Sequence, residues 1–135
     1  MNTPNDIDEY ARRAESAGMT VIMIGHEPAP TPTVQRYPPD DPARLAELLE
    51  RIRIELERRR RHPDRWRRGL LIAFRDIDAW RGTLPAGVDG LLERTLEDLA
   101  ANDPSTTALT AVATGYAGTK ENGKTNRKET QCPRN

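Results

Sequence analysis

Cysteine is almost absent from this sequence, and its scarcity limits the chemistry available to the chain. The single thiol, Cys132, lies in a polar C-terminal segment, so an intrachain disulfide cannot form and a cysteine-based zinc site is excluded. The two histidines, His26 and His62, stand alone without partners at the spacing of a metal site. The sequence therefore predicts no metal site built on cysteine or histidine and no disulfide framework.

Long apolar runs are missing as well. No stretch approaches the roughly 20 consecutive apolar residues that a membrane-spanning helix needs. The first residues, MNTPNDIDEYARR, are acidic and polar, unlike a secretory signal. These absences predict a cytoplasmic protein without a membrane partner.

Aromatic residues and net charge are also low. Aromatics make up 4% of the 135 residues, so the core must consist mainly of leucine, isoleucine, valine and alanine. The formal net charge is zero, which argues against a surface tuned as a whole to nucleic acid or to an anionic membrane. The length suits one domain with one modest core.

The apolar residues that are present follow helical spacing in two long segments. Residues 42 to 61 form the clearer one, with Asp41 placed to cap the helix and Pro42 at its first position. A second helix is predicted over residues 88 to 101 and a short one over residues 6 to 17. The apolar face of the first segment comprises Leu45, Leu48, Leu49, Ile52 and Leu56.

Three apolar runs read as buried strands: residues 19 to 25, 69 to 74 and 107 to 114. Residues 26 to 42 contain six prolines, which predicts an irregular surface connection between the first strand and the long helix. Alternating helices and strands favour an α/β fold with a small, mainly parallel three-stranded sheet flanked by helices. We therefore predict one α/β domain over residues 1 to 114 and a disordered polar tail over residues 115 to 135.

One candidate site stands at the end of the middle strand, where LLIAF runs into Arg75-Asp76-Ile77-Asp78. Ligands of open parallel sheets gather at the carboxyl ends of the strands, so Asp76 and Asp78 are candidates for a nucleotide or metal site. Two alternatives stay open at this point. Either acid could instead cap a short helix through Trp80, and Arg75 could pair with either acid and neutralise it.

An apolar strand that ends in an acidic group has the form of a Walker B element. Residues 19 to 114 resemble the middle of an FtsK/SpoIIIE-type DNA translocase ATPase domain. The matching strings occur in the order of that family: TVIMIG, YPPDDPARLAELLERIRIELERRR, LLIAFRDIDAW and LEDLAANDPSTTALTAVATG. The resemblance implies part of a P-loop ATPase core.

This chain departs from the family pattern in three places. The sequence has no G-x-x-x-x-G-K-[ST] motif, whose loop and lysine hold the phosphates of a nucleotide. Arg75-Asp76 stands where the family has Asp-Glu, and Gly115 follows Thr114 where the family places a polar sensor residue. The resemblance thus implies a truncated or non-catalytic relative without confident catalytic residues, in which Asp76 and Asp78 are remnants. Such a chain would use ATP and Mg²⁺ only if another chain supplied the missing P-loop.

The second candidate site is an arginine-rich segment at the end of the long helix. Residues 51 to 68 hold nine arginines against three acids, and arginine suits phosphate oxygens. A solvated helix end whose cations complement the helix dipole is the alternative. The candidate residues for contact with DNA or another polyanion are Arg58, Arg59, Arg60, Arg61, Arg65, Trp66, Arg67 and Arg68.

Three kinds of function therefore stay open. The first is a non-catalytic ATPase relative that contacts DNA or a motor partner, and the second is a polyanion-binding module without ATPase ancestry. The third is a structural protein-interaction domain that self-associates through the open edges of its sheet.

Overall fold

The computed structural model describes residues 6 to 63 and 68 to 116. Within them, a parallel sheet is flanked by helices, as the sequence predicts. In chain order the elements are α1 (Ile7–Ser16), β1 (Thr20–Ile24), β2 (Gln35–Tyr37), α2 (Pro42–Arg61), β3 (Leu70–Phe74), α3 (Ile77–Arg81), α4 (Ala86–Ala100), α5 (Pro104–Thr107) and β4 (Leu109–Ala113).

The sheet has four strands, in the order β2-β1-β3-β4, and all pairings are parallel. The prediction of three strands was therefore wrong. The additional strand, β2, lies within the proline-rich connection, where residues 33 to 37 form a stretch without proline. Because β2 is an edge strand and pairs with β1 alone, it needs ladder hydrogen bonds on one side only.

Helix α2 begins and ends at the predicted residues. The carboxylate of Asp41 accepts a hydrogen bond from the backbone N–H of Arg44 at 3.3 Å, and Pro42 occupies the first turn. The helix ends before Pro63, because proline disfavours helical geometry in the residue that precedes it. The cap and the apolar spacing together were sufficient to place this element.

The segments around β3 and β4 hold two short helices. Helix α3 follows β3 directly, as expected for a short helix through Trp80. Helix α5 was not predicted. Because it includes residue 107, the last strand begins at Leu109 instead of at residue 107. Asp103 caps α5 by accepting the backbone N–H of Ser105 at 3.0 Å, so the Asn-Asp-Pro step closes one helix and starts another.

The two faces of the sheet are covered by different helices. Helix α1 packs on one face, against a core cluster that includes Val21, Met23, Leu71 and Val112. Helices α2 and α4 pack on the other face, against Ile24, Ile72, Phe74 and other apolar side chains. All five residues of β3 are buried, since this central strand is covered on both faces.

Most of the predicted polar tail, residues 117 to 135, lies outside the described residues, as do Arg65, Trp66 and Arg67. In the described part of the chain, none of the helices is long and apolar enough to span a membrane.

Candidate functional site

The carboxyl ends of β1, β3 and β4 meet at one edge of the sheet. Backbone hydrogen bonds join them: Arg75 N–H donates to the carbonyl of Ile24, and Thr114 N–H donates to the carbonyl of Phe74, each at 2.9 Å. This edge is where open parallel sheets bind their ligands. The fold thus brings Arg75 and Asp76 to the position at which the sequence predicts a site.

Arg75 is buried at this edge, with 8% of its surface exposed. Its guanidinium forms an ion pair with Asp8 in the first turn of α1, and its second partner is Glu27 at 3.9 Å in the loop after β1. The sequence suggested Asp76 or Asp78 as the partner of Arg75. The guanidinium instead contacts acids from two other segments, because it lies on the α1 side of the sheet.

Asp76 occupies the N-cap position of α3, but its side chain makes no capping hydrogen bond. Its backbone is left-handed, with φ of 53°, which is uncommon outside glycine, asparagine and aspartate. Its N–H donates to the hydroxyl of Thr114 at 3.1 Å. The carboxylate of Asp76 is consequently directed to an exposed position at the strand end.

Asp78 lies in the first turn of α3 and is exposed. Its backbone N–H donates to the carbonyl of Gly115 at 2.9 Å, which ties α3 to the end of β4. Among the described residues, histidine, cysteine and carboxylate side chains do not gather in a group of three that could hold a metal ion.

Two glycines let the chain close tightly around the end of β3. Gly115 has φ of +58°, and a Cβ atom at this position would lie 2.7 Å from the Cα of Asp76. A Cβ on Gly25 would lie 3.0 Å from the Cβ of Arg75. The backbone at Gly115 and Gly25 therefore lies close to Asp76 and Arg75, respectively.

A second charged cluster lies next to this edge, and sequence reasoning missed it. Arg81 at the end of α3 donates from Nε to Asp89 at 2.7 Å and also pairs with Glu93, one turn further along α4. The hydrogen bond that Arg81 donates to Asp89 is the main cause that raises the pKa of Arg81. Burial, followed by the charge of Glu93, raises the pKa of Tyr116. The spacing of Asp89 and Glu93, four residues apart on one helix face, was the available signal.

The arginine-rich segment is divided between internal and exposed roles. Arg59 is buried with 7% exposure, and its guanidinium donates to the carbonyls of Thr107 and Arg68, each at 2.9 Å. Arg68 donates from Nε to the carbonyl of Gly18 at 2.7 Å. These two arginines of the predicted polyanion site thus hold separate segments of the fold together.

The remaining described arginines of this segment are exposed at the end of α2. Arg58 pairs with Glu55 at 2.8 Å, and Arg61 pairs with Glu57 at 3.3 Å. Arg60 donates to the carbonyl of Asp98 at 3.2 Å. Contact between this segment and a polyanion stays a prediction, for which Arg58, Arg60, Arg61 and Arg68 are the exposed candidates in the described residues.

A comparison of structures places the fold among ATPase domains. The chain is similar to EssC (ATPases 2 and 3) from Geobacillus thermodenitrificans, with a TM-score of 0.57 and 11% sequence identity. The similarity covers 80% of this chain and 24% of that chain. No family model matches the sequence, and no curated protein matches it. The likeness at this identity shows an ATPase-like α/β fold.

Proposed function

We propose that this chain is a non-catalytic relative of the FtsK/SpoIIIE-type ATPase domains, and that it acts by binding DNA or a motor partner. The observation that carries the non-catalytic part is Arg75. It stands at the end of β3, where the resemblance expects the aspartate that binds Mg²⁺, and it is held there by Asp8 and Glu27.

Electrostatics explains why this arrangement opposes catalysis. A guanidinium stays protonated at every physiological pH, so Arg75 repels a metal ion where an aspartate would attract one. Its two acidic partners come from α1 and the loop after β1, so the guanidinium cannot leave without breaking both ion pairs. A metal would therefore have to compete with a buried ion pair.

The loss of phosphate-binding groups points the same way. The sequence contains no G-x-x-x-x-G-K-[ST] loop. At the end of β3, Asp76 is exposed and could contact a metal ion with one carboxylate, but the residue before it is Arg75 and not a second acid. ATP and Mg²⁺ would bind to this edge only with a P-loop from another chain. This supports a role in binding for the isolated chain.

An ATPase assay tests the non-catalytic part. The purified chain should show no saturable ATP binding in the presence of Mg²⁺ and no hydrolysis above a no-protein control. Saturable binding with hydrolysis that Asp76→Asn abolishes would contradict the proposal. Asp76 is exposed and asparagine tolerates its left-handed backbone, so this substitution leaves the fold intact and a lost activity would report on chemistry.

The arginine segment favours a second candidate function, a polyanion-binding module. Arg60 and Arg61 are exposed at the end of α2, and Arg65 and Arg67 follow them in the sequence. Binding of a short DNA duplex should weaken with salt by roughly 0.9 log units per log unit of salt for each phosphate contacted.

A variant that replaces Arg60, Arg61, Arg65 and Arg67 by glutamine tests this second candidate. It should flatten the salt dependence, and it spares Arg59, whose loss would destabilise the fold and so confuse the test of DNA contact. A matched control replaces Arg12 and Arg13 on α1, which are exposed and distant in sequence. An unchanged slope in the first variant would exclude the arginine segment as the DNA contact.

A further inference from the structure

A groove of about 360 Å³ lies between α2 and the sheet, beside the edge strand β2. The two elements that border it differ in length, since α2 has 20 residues and β2 has three. Strand β2 pairs only with residues 22 to 24 of β1, so the start of β1 has no strand neighbour at this edge among the described residues. The apolar side chains that line the groove are Ile22, Tyr37, Leu48, Ile52, Ile54 and Leu70.

The apolar lining is buried in part and open in part. Ile52 and Leu70 are buried in the core, whereas Ile22 and Tyr37 are only partly buried against it. Ile54 is 65% exposed, and in the described part of the chain it is the one large hydrophobic side chain with such exposure. A small apolar molecule in the groove would therefore remove apolar surface from water, and the volume lies within the range of about 300–1,000 Å³ that small-molecule sites occupy.

The charge of the groove is set by three polar side chains of its lining, Gln35, Arg51 and Glu55. Glu55 already accepts hydrogen bonds from Arg58 at 2.8 Å and from Arg59 at 2.6 Å, so its charge is compensated within α2. The guanidinium of Arg51 is exposed and forms no ion pair with any other residue that the structure describes. The uncompensated charge in the lining is therefore positive.

A second guanidinium lies near the same groove. Arg44 precedes Arg51 by seven residues, which is about two turns, so the two side chains lie on the same side of α2. The guanidinium carbon of Arg44 is 5.7 Å from the centroid of the Tyr37 ring, which lines the groove. Glu47 lies between the two arginines in the sequence, but it does not line the groove, and among the described residues it pairs with neither. The two cations make this side of the groove suited to an anion.

We propose that the groove binds a small anionic amphiphile, a carboxylate with an unbranched apolar chain. The apolar lining takes the chain, and Arg51 binds the carboxylate, because a guanidinium can donate two parallel hydrogen bonds to the two carboxylate oxygens. This inference is independent of the proposed function. The groove includes Leu70 at the start of β3, whereas Arg75 and Asp76 follow the end of that strand.

Two-dimensional amide NMR tests the proposal with octanoate as the probe, over about 0.01 mM to about 10 mM, the range for so small a ligand. Octanoate should shift the signals of β2 and of the middle of α2, and the shifts should saturate. Each methylene removed from the chain should weaken binding by about fourfold where the groove buries it. Octylammonium, which has the same chain and the opposite charge, should bind about fivefold more weakly or worse.

Substitutions on the groove separate the role of the charge from that of the apolar lining. Arg51→Gln should weaken octanoate binding by roughly two- to fivefold and reduce the preference over octylammonium. Arg94→Gln is the matched control, since it removes an exposed charge on α4 and should leave the affinity unchanged. Gln35→Trp places a large side chain in the groove from an exposed position on an edge strand, so it should abolish the saturable shifts while the spectrum stays dispersed.

Three results would contradict the proposed site. The first is the absence of saturable shifts up to the highest octanoate concentration, and the second is equal affinity for octanoate and octylammonium. The third is an equal effect of Arg51→Gln and Arg94→Gln, since the carboxylate would then respond to the general charge of the surface. Saturable shifts that persist in a folded Gln35→Trp variant would likewise place the binding outside this groove.

Discussion

At the scale of single residues, four consecutive arginines at the end of α2 have different roles. Arg59 faces inward and donates hydrogen bonds to three backbone carbonyls, those of Thr107, Ala108 and Arg68. It also pairs with Glu55 at 2.6 Å. Its neighbours Arg58, Arg60 and Arg61 are exposed. Arg59 therefore joins α2 to the segments that precede β3 and β4.

Replacement of Arg59 by glutamine should lower the free energy of unfolding by about 2–4 kcal/mol. The shorter side chain would leave buried carbonyls and Glu55 without their charged donor. Urea unfolding measures the effect, and Arg60→Gln serves as the matched control with an expected loss below about 1 kcal/mol. Equal losses for the two variants would show that Arg59 has no special structural role.

The pH dependence of stability should report on the same contact. Burial raises the pKa of Glu55, but its hydrogen bonds with Arg59 and Arg58 outweigh this effect, and the net pKa lies below the ordinary value of 4.5. A carboxyl whose pKa is lower in the folded state stabilises the fold above its unfolded pKa. That contribution is lost as the pH falls through the folded pKa.

Glu55→Gln should consequently be less stable than the wild type at neutral pH, and the difference should shrink as the pH falls below 4.5. Thermal or urea unfolding at several pH values measures both stabilities. Glu47→Gln, on the exposed face of the same helix, should track the wild type at every pH. A difference for Glu55→Gln that stays constant down to strong acid would contradict the ion-pair account.

The inward role of Arg59 could have been predicted only in part. Position 59 continues the apolar spacing of Leu45, Leu49, Ile52 and Leu56, which indicates an inward direction. Its partners, however, are carbonyls at residues 68, 107 and 108, and sequence spacing contains no information on those distances. Composition instead suggested a polyanion site, because arginine serves both purposes equally well.

At the scale of elements, α1 is attached to the end of β3 by charge as well as by packing. Ile7, Ala11 and Ala14 bury one face of the helix against the sheet. Asp8, in the first turn, pairs with the buried Arg75. The first turn of the helix thus lies beside the end of β3 and holds the guanidinium in place.

Replacement of Asp8 by alanine should destabilise the domain by about 1–3 kcal/mol, because it leaves a buried guanidinium with only the longer contact to Glu27. Glu9→Ala is the matched control in the same turn. Its carboxylate pairs only with the exposed Arg12 and Arg13 among the described residues, so the expected change is within about 0.5 kcal/mol. Hydrogen exchange should show faster opening of α1 in the Asp8 variant alone. Unchanged exchange in α1 would contradict a role of Asp8 in holding the helix.

Elements with local signals were predicted well, and those set by distant contacts were not. Helix α2 carries its own cap and apolar face, so both of its ends could be placed. Strand β2 has no such signal, because its three residues are defined by pairing with β1 and lie between prolines. The contact of α1 with Arg75 likewise joins residues 67 positions apart in the sequence.

At the scale of the whole molecule, the alternation of helices and strands predicted the α/β class, and the similarity to an ATPase structure confirms that class. The proposed loss of catalysis depends on one residue type at one strand end. Arg75 gives this edge a buried cation where the resemblance expects a metal-binding acid. A fold of this kind therefore does not by itself determine whether a nucleotide binds.

Two-dimensional amide NMR of the chain, recorded alone, with Mg²⁺ and ATP, and with a short DNA duplex, tests the central claim most directly. Dispersed signals should appear for the described residues, and those of Gly25, Arg75, Asp76 and Thr114 should not move when Mg²⁺ and ATP are added. If DNA is the partner, the duplex should shift signals at the end of α2. If the duplex causes no shift, the partner in the proposed function would be a motor protein. Saturable movement of the strand-end signals with Mg²⁺ and ATP would contradict the account, since it would show that Arg75 leaves the site open to a nucleotide.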